Sequence, residues 1–436
     1  MEIVGINEEN IKQISSIKKE DNWVLDYRLN SYKNFCNLGM PGYGPSYKIN
    51  FDEVIYYKSN DDKEIKSSWD QIKEDVKCEL SCLGVLESEK HLDGMGVTYE
   101  SEVIYHNMLE ELKEKNVIFT SIEEGLKNYP DIAKKYFGKI VSNAENKFAA
   151  LNGSVFSGGS FIYIPPHTKL DRPLQSYFRI NSRGMGQFER TLIIVDDYSD
   201  LHYIEGCTAP TYTESSLHAA VVEIYVGKHS KCRYSTIQNW AHNVLNLVTK
   251  RTLVDEAGVM EWIDGNIGSK ATMKYPCCIL KGDNSEGTCV TISVATSGQQ
   301  QDSGARMIHL GKNTKSSIIS KSIARNGGDA SYRGKVDIKE NALNSEAMVK
   351  CDTLILDKDS KSNAYPTNIC RNTSSTLEHE ATVSKVSEEK LFYLMSRGIP
   401  KEKAIELIIL GFIEKFREEL PMEYAVELNQ LLKKHL

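Results

Sequence analysis

The sequence predicts a mainly β protein built around a β-solenoid, with helical regions at both ends of the chain. From about residue 151 to residue 386, short runs rich in β-branched and aromatic residues recur at intervals of roughly 8–14 residues and are separated by turn residues. No stretch in this region carries a strong helical pattern, whereas both flanking regions do. A strand series of this length is typical of a sandwich, a barrel or a solenoid. The number of strands favours the solenoid, because each coil buries its apolar side only against its neighbours.

Residues 1–150 are predicted to be mainly helical. Apolar residues recur at helical spacing near the N-terminus until a Pro/Gly-rich turn, "NLGMPGYGPSY". Two further helices are predicted, in "YESEVIYHNMLEELKEKNVIF" and in "SIEEGLKNYPDIAKKYFGKIV". The second of these begins with a capping box formed by Ser121 and Glu124.

Residues 387–436 are predicted to form a second helical unit. Ser387 is a natural N-cap, and two glutamates follow it at the positive end of the helix dipole. Gly398 ends that helix, Pro400 is placed to begin the next, and a last helix is predicted from Pro421. The middle helix carries one apolar stripe, formed by Ile405, Ile408, Ile409, Phe412 and Phe416. Such a unit has broad apolar faces available to a partner.

The composition and the absence of standard motifs argue against several classes of function. The chain has 436 residues, a net charge of −7 and no lysine-rich run, so nucleic acid is not an expected partner. The N-terminus lacks the pattern of a signal peptide, and no apolar run approaches the roughly 20 residues that span a bilayer. Ten cysteines in such a chain indicate reduced thiols in the cytoplasm. No GxxxxGK[ST], GxGxxG, HExxH or GxSxG motif occurs, so a standard ATP or NAD loop is not expected.

Two cysteines are candidate reactive groups. Cys207 lies in "YIEGCTAP", where a strand is predicted to end beside a glycine. It is either a thiol accessible to a reaction partner or a small core residue. Cys351 lies in "MVKCDTLIL", where the alternation of side chains predicts that it is buried.

Polar residues occur in two further strand patterns. In "STLEHEATVSKV", Glu378 and Glu380 are predicted to share one face of a strand, with His379 on the other. One interpretation is a solvated face with a structural histidine, and the other is an iron-binding set. Polar residues also fall at expected core positions, where burial is costly unless they are paired. These polar core residues, which together suggest a polar passage, are Arg179, Asn181, Gln238, Trp240 and Lys250.

Ordered segments from about Tyr99 to the C-terminus carry a family resemblance. Among them are "YIEGCTAP", "YSTIQNW", "CDTLIL" and "EHEATVSKVSEEKLFYLMSRGI". They resemble the SufB/SufD family, the scaffold subunits of the SUF iron–sulfur cluster assembly system. The resemblance implies a right-handed parallel β-helix between helical regions, and a scaffold rather than an enzyme. Its cargo would be a transient iron–sulfur cluster. The resemblance also associates flavin with complexes of the family, and no residues here indicate a flavin site.

The resemblance implies partners as well. An ABC-type ATPase, SufC, is expected to dock on the C-terminal helices, and to hydrolyse the ATP for which this chain has no loop. SufD or a second copy of this chain is expected as a second β-helix subunit. A cysteine desulfurase or its sulfur-relay protein would supply sulfur.

Family roles carry over to matching positions. Cys207 resembles the persulfide acceptor, and the polar core residues resemble the lining of the proposed sulfur path. Cys351 resembles the interface cysteine at which the cluster is built, with Glu378, His379 and Glu380 as iron-binding groups beside it. These residue types suit the chemistry, because thiolates attack persulfides and bind iron, and carboxylates and imidazole bind ferrous ion.

Two alternative functions fit a chain of this kind less well, and one feature differs from the family pattern. A SufD-like structural subunit would lack the cluster-building thiol, so the presence of both Cys207 and Cys351 argues against it. A polysaccharide-active β-helix enzyme would commonly be secreted, and the missing export signal argues against that class. Many relatives carry a CxxCxxxC cluster near the N-terminus. Of that cluster only the Cys78–Cys82 pair appears here, without a closed zinc pattern, and two buried or half-buried thiols are the favoured interpretation.

Overall fold

The computed structural model describes residues 1–59, 65–82, 85–180, 184–208 and 216–418. The predicted helix at Pro421, the polar core residue Asn181 and the side chain of Cys82 lie outside this description. In the described part of the chain, no helix has the length and apolar character that crossing a membrane requires.

The core is a parallel β-solenoid of about 7 turns, as the strand series predicted. Along the body of the solenoid the chain alternates between two sheets, and in three coils its segment in the second sheet is divided into two short strands. One sheet consists, in spatial order, of β4 (Glu102–Met108), β3 (Gly94–Tyr99), β7 (Leu174–Arg179), β10 (Asp200–Thr208), β13 (Lys231–Trp240), β15 (Val259–Gly268), β18 (Glu286–Ala295), β20 (Lys315–Ala324), β22 (Glu346–Ile355) and β24 (Thr376–Lys385).

The second sheet has twelve strands and faces the first across the core. It consists, in chain order, of β5 (Ile118–Ser121), β6 (Ser160–Ile164), β8 (Gly186–Gln187), β9 (Arg190–Val195), β11 (Ser216–His218), β12 (Val221–Val226), β14 (Val244–Val254), β16 (Ala271–Lys274), β17 (Cys277–Leu280), β19 (Gln300–His309), β21 (Asp329–Ile338) and β23 (Lys361–Cys370). A separate antiparallel pair joins β1 (Glu2–Val4) to β2 (Ile55–Lys58).

Helices flank the solenoid at both ends of the chain. Those before or at its start are α1 (Glu8–Lys18), α2 (Asn22–Asn37), α3 (Glu74–Cys82), α4 (Val85–Ser88), α5 (Glu110–Glu114), α6 (Ile122–Asn128), α7 (Pro130–Tyr136) and α8 (Lys147–Val155). Those after it are α9 (Glu388–Ser396), α10 (Lys401–Phe412) and α11 (Glu414–Glu418).

Two predicted N-terminal helices differ from the structure. Within the segment 99–119, residues 102–108 form β4 and residues 118–119 begin β5, with only the short α5 between them. Its β-branched and aromatic residues pair with neighbouring strands instead of forming one helix. The other predicted helix is divided at Pro130 into α6 and α7. Its predicted cap is confirmed, since Ser121 Oγ accepts from Glu124 N at 3.2 Å.

The C-terminal apolar stripe packs on the solenoid itself. Ile409 and Phe416 are buried against the outer face of the ten-stranded sheet, beside Ile263 and Val290. This stripe is therefore largely used within the chain. Of the described C-terminal helices, α9 exposes the largest apolar side chains, among them Phe392, which is 74% exposed.

Candidate functional site

Cys207 lies inside the solenoid. Its side chain is 1% exposed and belongs to a buried cluster that includes Trp240. Of the two interpretations of Cys207, the structure supports the small core residue, because the side chain faces inward on the penultimate residue of β10. Burial, followed by the carboxylates of Glu205 and Glu189, raises the pKa of Cys207 well above its ordinary value. The thiol is therefore protonated at neutral pH.

The four polar core residues that the structure describes are all buried. Gln238 is the register partner of Cys207 on the next strand. Arg179 Nη1 donates to Thr208 Oγ1 at 3.0 Å, one position beyond the cysteine. Gln238, Trp240 and Lys250 lie inside the solenoid near the buried thiol. Arg179, the register partner of Thr208, is instead buried on the opposite face of the sheet from Cys207 and its partner Phe178.

A network of charged and polar side chains surrounds Gln238. Its Oε1 accepts from Asn246 Nδ2 at 2.8 Å and from Lys274 Nζ at 3.0 Å. Lys274 Nζ also lies 2.9 Å from Asp264 Oδ2, and Lys250 Nζ lies 3.3 Å from Asp264 Oδ1. The two lysines thus share one buried carboxylate, which offsets the cost of placing their charges in the core.

Two hydrogen-bond donors near Cys207 have no partner among the described residues. They are the amide nitrogen of Gln238 and the indole nitrogen of Trp240, and both side chains are 1% exposed. An unpaired buried donor is costly, and an anionic group placed beside it would recover that cost. These two donors would therefore stabilise an anionic sulfur species, in opposition to the burial and carboxylates that raise the pKa of Cys207.

The strand register extends this polar interior along the solenoid axis as two adjacent columns of inward-facing residues. The first column consists of Cys207, Gln238, Asn266, Ser293, Ser322 and Thr353. The second consists of Glu205, Thr236, Asp264, Thr291, Ser320 and Cys351. Neighbouring strands are about 4.8 Å apart, so five steps separate Cys207 from Cys351 by about 24 Å along the axis. The two thiols therefore cannot exchange sulfur directly.

The character of the columns changes between the two cysteines. Charged groups surround the half near Cys207, whereas hydroxyls line the half near Cys351. Thr291 Oγ1 donates to Ser320 Oγ at 3.0 Å, and Ser293 Oγ lies 2.7 Å from Ser303 Oγ on the opposite sheet. Sequence reasoning missed these hydroxyls as well as Asp264 and Lys274, because alternating polar residues in a strand usually face solvent. Only the register shows that they face inward.

Cys351 and His379 meet near the C-terminal end of the solenoid. Both side chains point inward, and Cys351 Sγ lies 3.9 Å from His379 Nε2. Cys351 is 5% exposed, so its predicted burial is confirmed. Burial raises the pKa of Cys351 to about 12 despite the nearby Tyr332 hydroxyl, and burial lowers the pKa of His379. A metal ion that binds this thiol must therefore displace its proton.

Glu378 and Glu380 lie on the opposite face of the strand from His379, as the alternation predicted. Both are exposed, and Glu380 Oε2 lies 3.4 Å from Lys350 Nζ on the outer surface. They therefore do not converge with Cys351 and His379 on one ion within this chain. Among the described residues, no three His, Cys, Asp or Glu side chains are grouped to hold a metal.

The site lies beside an open end of the solenoid. β23 and β24 are the terminal strands of the two sheets, and each pairs with one described neighbour only. Their side chains are largely exposed, with Tyr365 at 45% and Val383 at 53%. Edge strands of this length are ready to pair with another chain. The Cys351–His379 pair is thus placed at a surface suited to a second subunit.

Comparisons with known proteins add an independent result. Residues 178–412 match the family model for "SUF system FeS cluster assembly, SufBD core domain", and residues 90–176 match that for the "SufBD protein N-terminal region". The iron–sulfur cluster assembly protein SufB of Bacillus subtilis (strain 168) is 54% identical over 98% of this chain and 92% of its own length. An iron–sulfur cluster assembly SufBD family protein of Staphylococcus aureus (strain MRSA252) is 55% identical over the same shares.

Proposed function

Because this chain belongs to the SufBD family of iron–sulfur cluster assembly proteins, we propose that it is a scaffold that accepts sulfur, collects iron and builds a nascent cluster at a subunit interface. In this proposal the protein is not itself an enzyme. A partner ATPase of the SufC type hydrolyses ATP, and the exposed apolar face of α9 is its docking surface.

Sulfur enters at Cys207 by exchange with a persulfide donor. The outer sulfur of the donor, R–S–SH, is transferred to the sulfur of Cys207, and the donor leaves as the thiol R–SH. The donors of Gln238 and Trp240 that have no partner among the described residues support this role, because they would stabilise the negative charge on the terminal sulfur. Lys250 and Lys274 would also stabilise a negative charge on this sulfur. Their charges lower the pKa of Cys207, although burial raises it by more. The columns of inward-facing polar residues offer the sulfur a route towards Cys351.

Iron binds at Cys351 and His379, where the cluster is then built. The 3.9 Å separation of Cys351 Sγ and His379 Nε2 beside two unpaired strand edges is the observation that carries this proposal. Iron in a cluster usually has four ligands, and the chain places two here. The others would come from sulfide and from the second subunit, either SufD or another copy of this chain. Glu378 and Glu380 would serve incoming iron or the neighbour from the outer face.

Anaerobic reconstitution tests the cluster site. The purified complex with the ATPase and second subunit is incubated with ferrous iron and sulfide, and cluster absorbance is recorded. We expect Cys351→Ala to abolish that absorbance, because it removes a ligand. Cys36→Ala, which removes an exposed thiol on α2, should leave it unchanged. Normal absorbance from the Cys351→Ala complex would refute the assignment.

A further inference from the structure

His379 is held between two strands by its two ring nitrogens. Its Nε2 lies 3.9 Å from Cys351 Sγ on β22, and its Nδ1 lies 3.0 Å from Asn368 Oδ1 on β23. Because β23 belongs to the opposite sheet, the two sheets converge on one imidazole in the last coil. The resemblance gave no role to Asn368, and its exposed position in "AYPTNIC" carries no sequence signal.

The contact with Asn368 constrains the tautomer of the ring. An amide oxygen can only accept a hydrogen bond, so the Nδ1 that faces it must carry the proton. A neutral imidazole has one N–H group and one lone pair, so the lone pair is left on Nε2. That lone pair then points towards Cys351, which is the arrangement a metal ion shared by these two side chains requires.

The distance between the two atoms also fits a shared ion. With metal–nitrogen and metal–sulfur bonds of about 2.1 Å and 2.3 Å, a tetrahedral ion holds its nitrogen and sulfur ligands about 3.6 Å apart. The observed 3.9 Å needs only a few tenths of an ångström of adjustment. The pair is therefore close to its metal-bound geometry before any ion arrives.

We propose that Asn368 is a positioning residue that holds His379 as the Nδ1–H tautomer, so that Nε2 and Cys351 Sγ can bind one thiophilic divalent cation together. This inference rests on the proposed function, in which the pair receives ferrous iron. Outer partners of metal-binding histidines commonly account for 10-fold to 100-fold in metal affinity. Asn368 holds the His379 ring from β23 of the second sheet, so the orientation of the ring depends on β23 being in place in the last coil.

Two variants of Asn368 and one matched control test the proposal in the full-length protein. Asn368→Leu removes the acceptor, whereas Asn368→Asp keeps an acceptor oxygen in its place. Asn363→Leu is the control, because Asn363 is an equally exposed asparagine on β23 whose side chain lies on the outer face. Neither position is buried, so the fold should tolerate each change.

The first readout is the tautomer of His379 without metal. Long-range ¹H–¹⁵N spectra of histidine-labelled protein at pH 8, where an ordinary imidazole is neutral, separate the two tautomers, and His379→Gln assigns the signal. We expect the Nδ1–H form in wild type, in Asn368→Asp and in Asn363→Leu, and a mixture of tautomers in Asn368→Leu. An Nε2–H form in wild type, or no change in Asn368→Leu, would overturn the proposal.

The second readout is anaerobic titration with ferrous ion. We expect Asn368→Leu to bind it 10-fold to 100-fold more weakly than wild type, with Asn363→Leu unchanged. Equal affinity of Asn368→Leu and wild type would also overturn the proposal. If wild type binds no ferrous ion, the proposed iron site fails, and the tautomer measurement then decides the role of Asn368 by itself.

Discussion

Asp264→Asn tests whether the charges inside the solenoid are balanced as the structure indicates. Asp264 contacts Lys274 at 2.9 Å and Lys250 at 3.3 Å, and all three side chains are at most 2% exposed. With Glu205 3.8 Å from Lys250, the pocket holds two carboxylates and two ammonium groups. Asparagine keeps the shape of the side chain but leaves one positive charge uncompensated. We expect the free energy of unfolding to fall by about 3–5 kcal/mol at pH 7.

The loss should shrink as the pH rises, because Lys274 can release its proton. Burial is the largest cause that lowers the pKa of Lys274, to about 8, while Asp264 raises it. Without Asp264 the folded-state pKa falls further, whereas an unfolded lysine keeps its proton to about pH 10.4. At a pH between the folded-state and unfolded-state pKa values of Lys274, the unfolded protein binds more protons than the folded protein, so the free energy of unfolding rises with pH. Between pH 7 and pH 8, the variant should gain up to about 1.4 kcal/mol and the wild type about 0.4 kcal/mol, so the variant should regain up to about 1 kcal/mol relative to wild type.

Urea denaturation followed by circular dichroism measures these differences. Asp264→Asn with Lys274→Met should recover most of the stability, because the pocket is then neutral again. Asp200→Asn is the control, since its partner Lys169 is 69% exposed and the pair should contribute less than about 1 kcal/mol. Similar losses for Asp264→Asn and Asp200→Asn, or no recovery in the double variant, would refute the reasoning.

Two other predictions concern sulfur addition at Cys207 and docking of the partner ATPase on α9. Glu205→Gln removes a carboxylate that, after burial, raises the pKa of Cys207, so the pH midpoint for sulfur addition from inorganic polysulfide should move downward. Intact-mass spectrometry across pH measures it, and an unmoved or raised midpoint would contradict the assigned electrostatics. Phe392→Asp places a charge on the exposed face of α9 and should weaken capture of the partner ATPase at least 10-fold in a pull-down. Tyr198→Asp, at an exposed tyrosine of the solenoid, is its control, and undiminished capture by Phe392→Asp would place the docking surface elsewhere.

The solenoid was predictable from the sequence because its strands are marked locally by β-branched and aromatic runs with turn residues between them. The burial of Cys351 and the opposite faces of Glu378 and His379 followed from simple alternation. The segment 99–119 was wrongly predicted as helix, because its spacing of apolar residues is compatible with both structures and pairing with β3 and β6 decides between them.

The interior network was less predictable because it depends on register. Which residue lies beside Cys207 is fixed by the pairing of β10 with β13, and no local pattern contains that information. The same is true of Lys274, which reaches Gln238 from the opposite sheet. For Cys207 the sequence left open an accessible thiol or a small core residue, and the inward face of β10 buries it. Local sequence thus shows that polar residues are present in strands, and the coil geometry determines which of them meet.

A solenoid can hold such a polar interior because each coil repeats the same positions. One inward polar residue per coil is enough to build a continuous column, while an adjacent inward column supplies the apolar contacts that hold the coils together. That apolar column consists of Tyr203, Tyr234, Trp262, Cys289, Ile318 and Val349, and the next residue in it is His379. The adjacent polar column reaches Cys351 one coil earlier. The polar column has its last polar side chain at Cys351, since its next position is Ala381 on β24. The thiol–imidazole pair therefore arises beside the only described coil with an unpaired edge on both sheets at this end of the core. A metal site placed there uses the last polar position of one column and the last position of the other without interrupting the packing behind them.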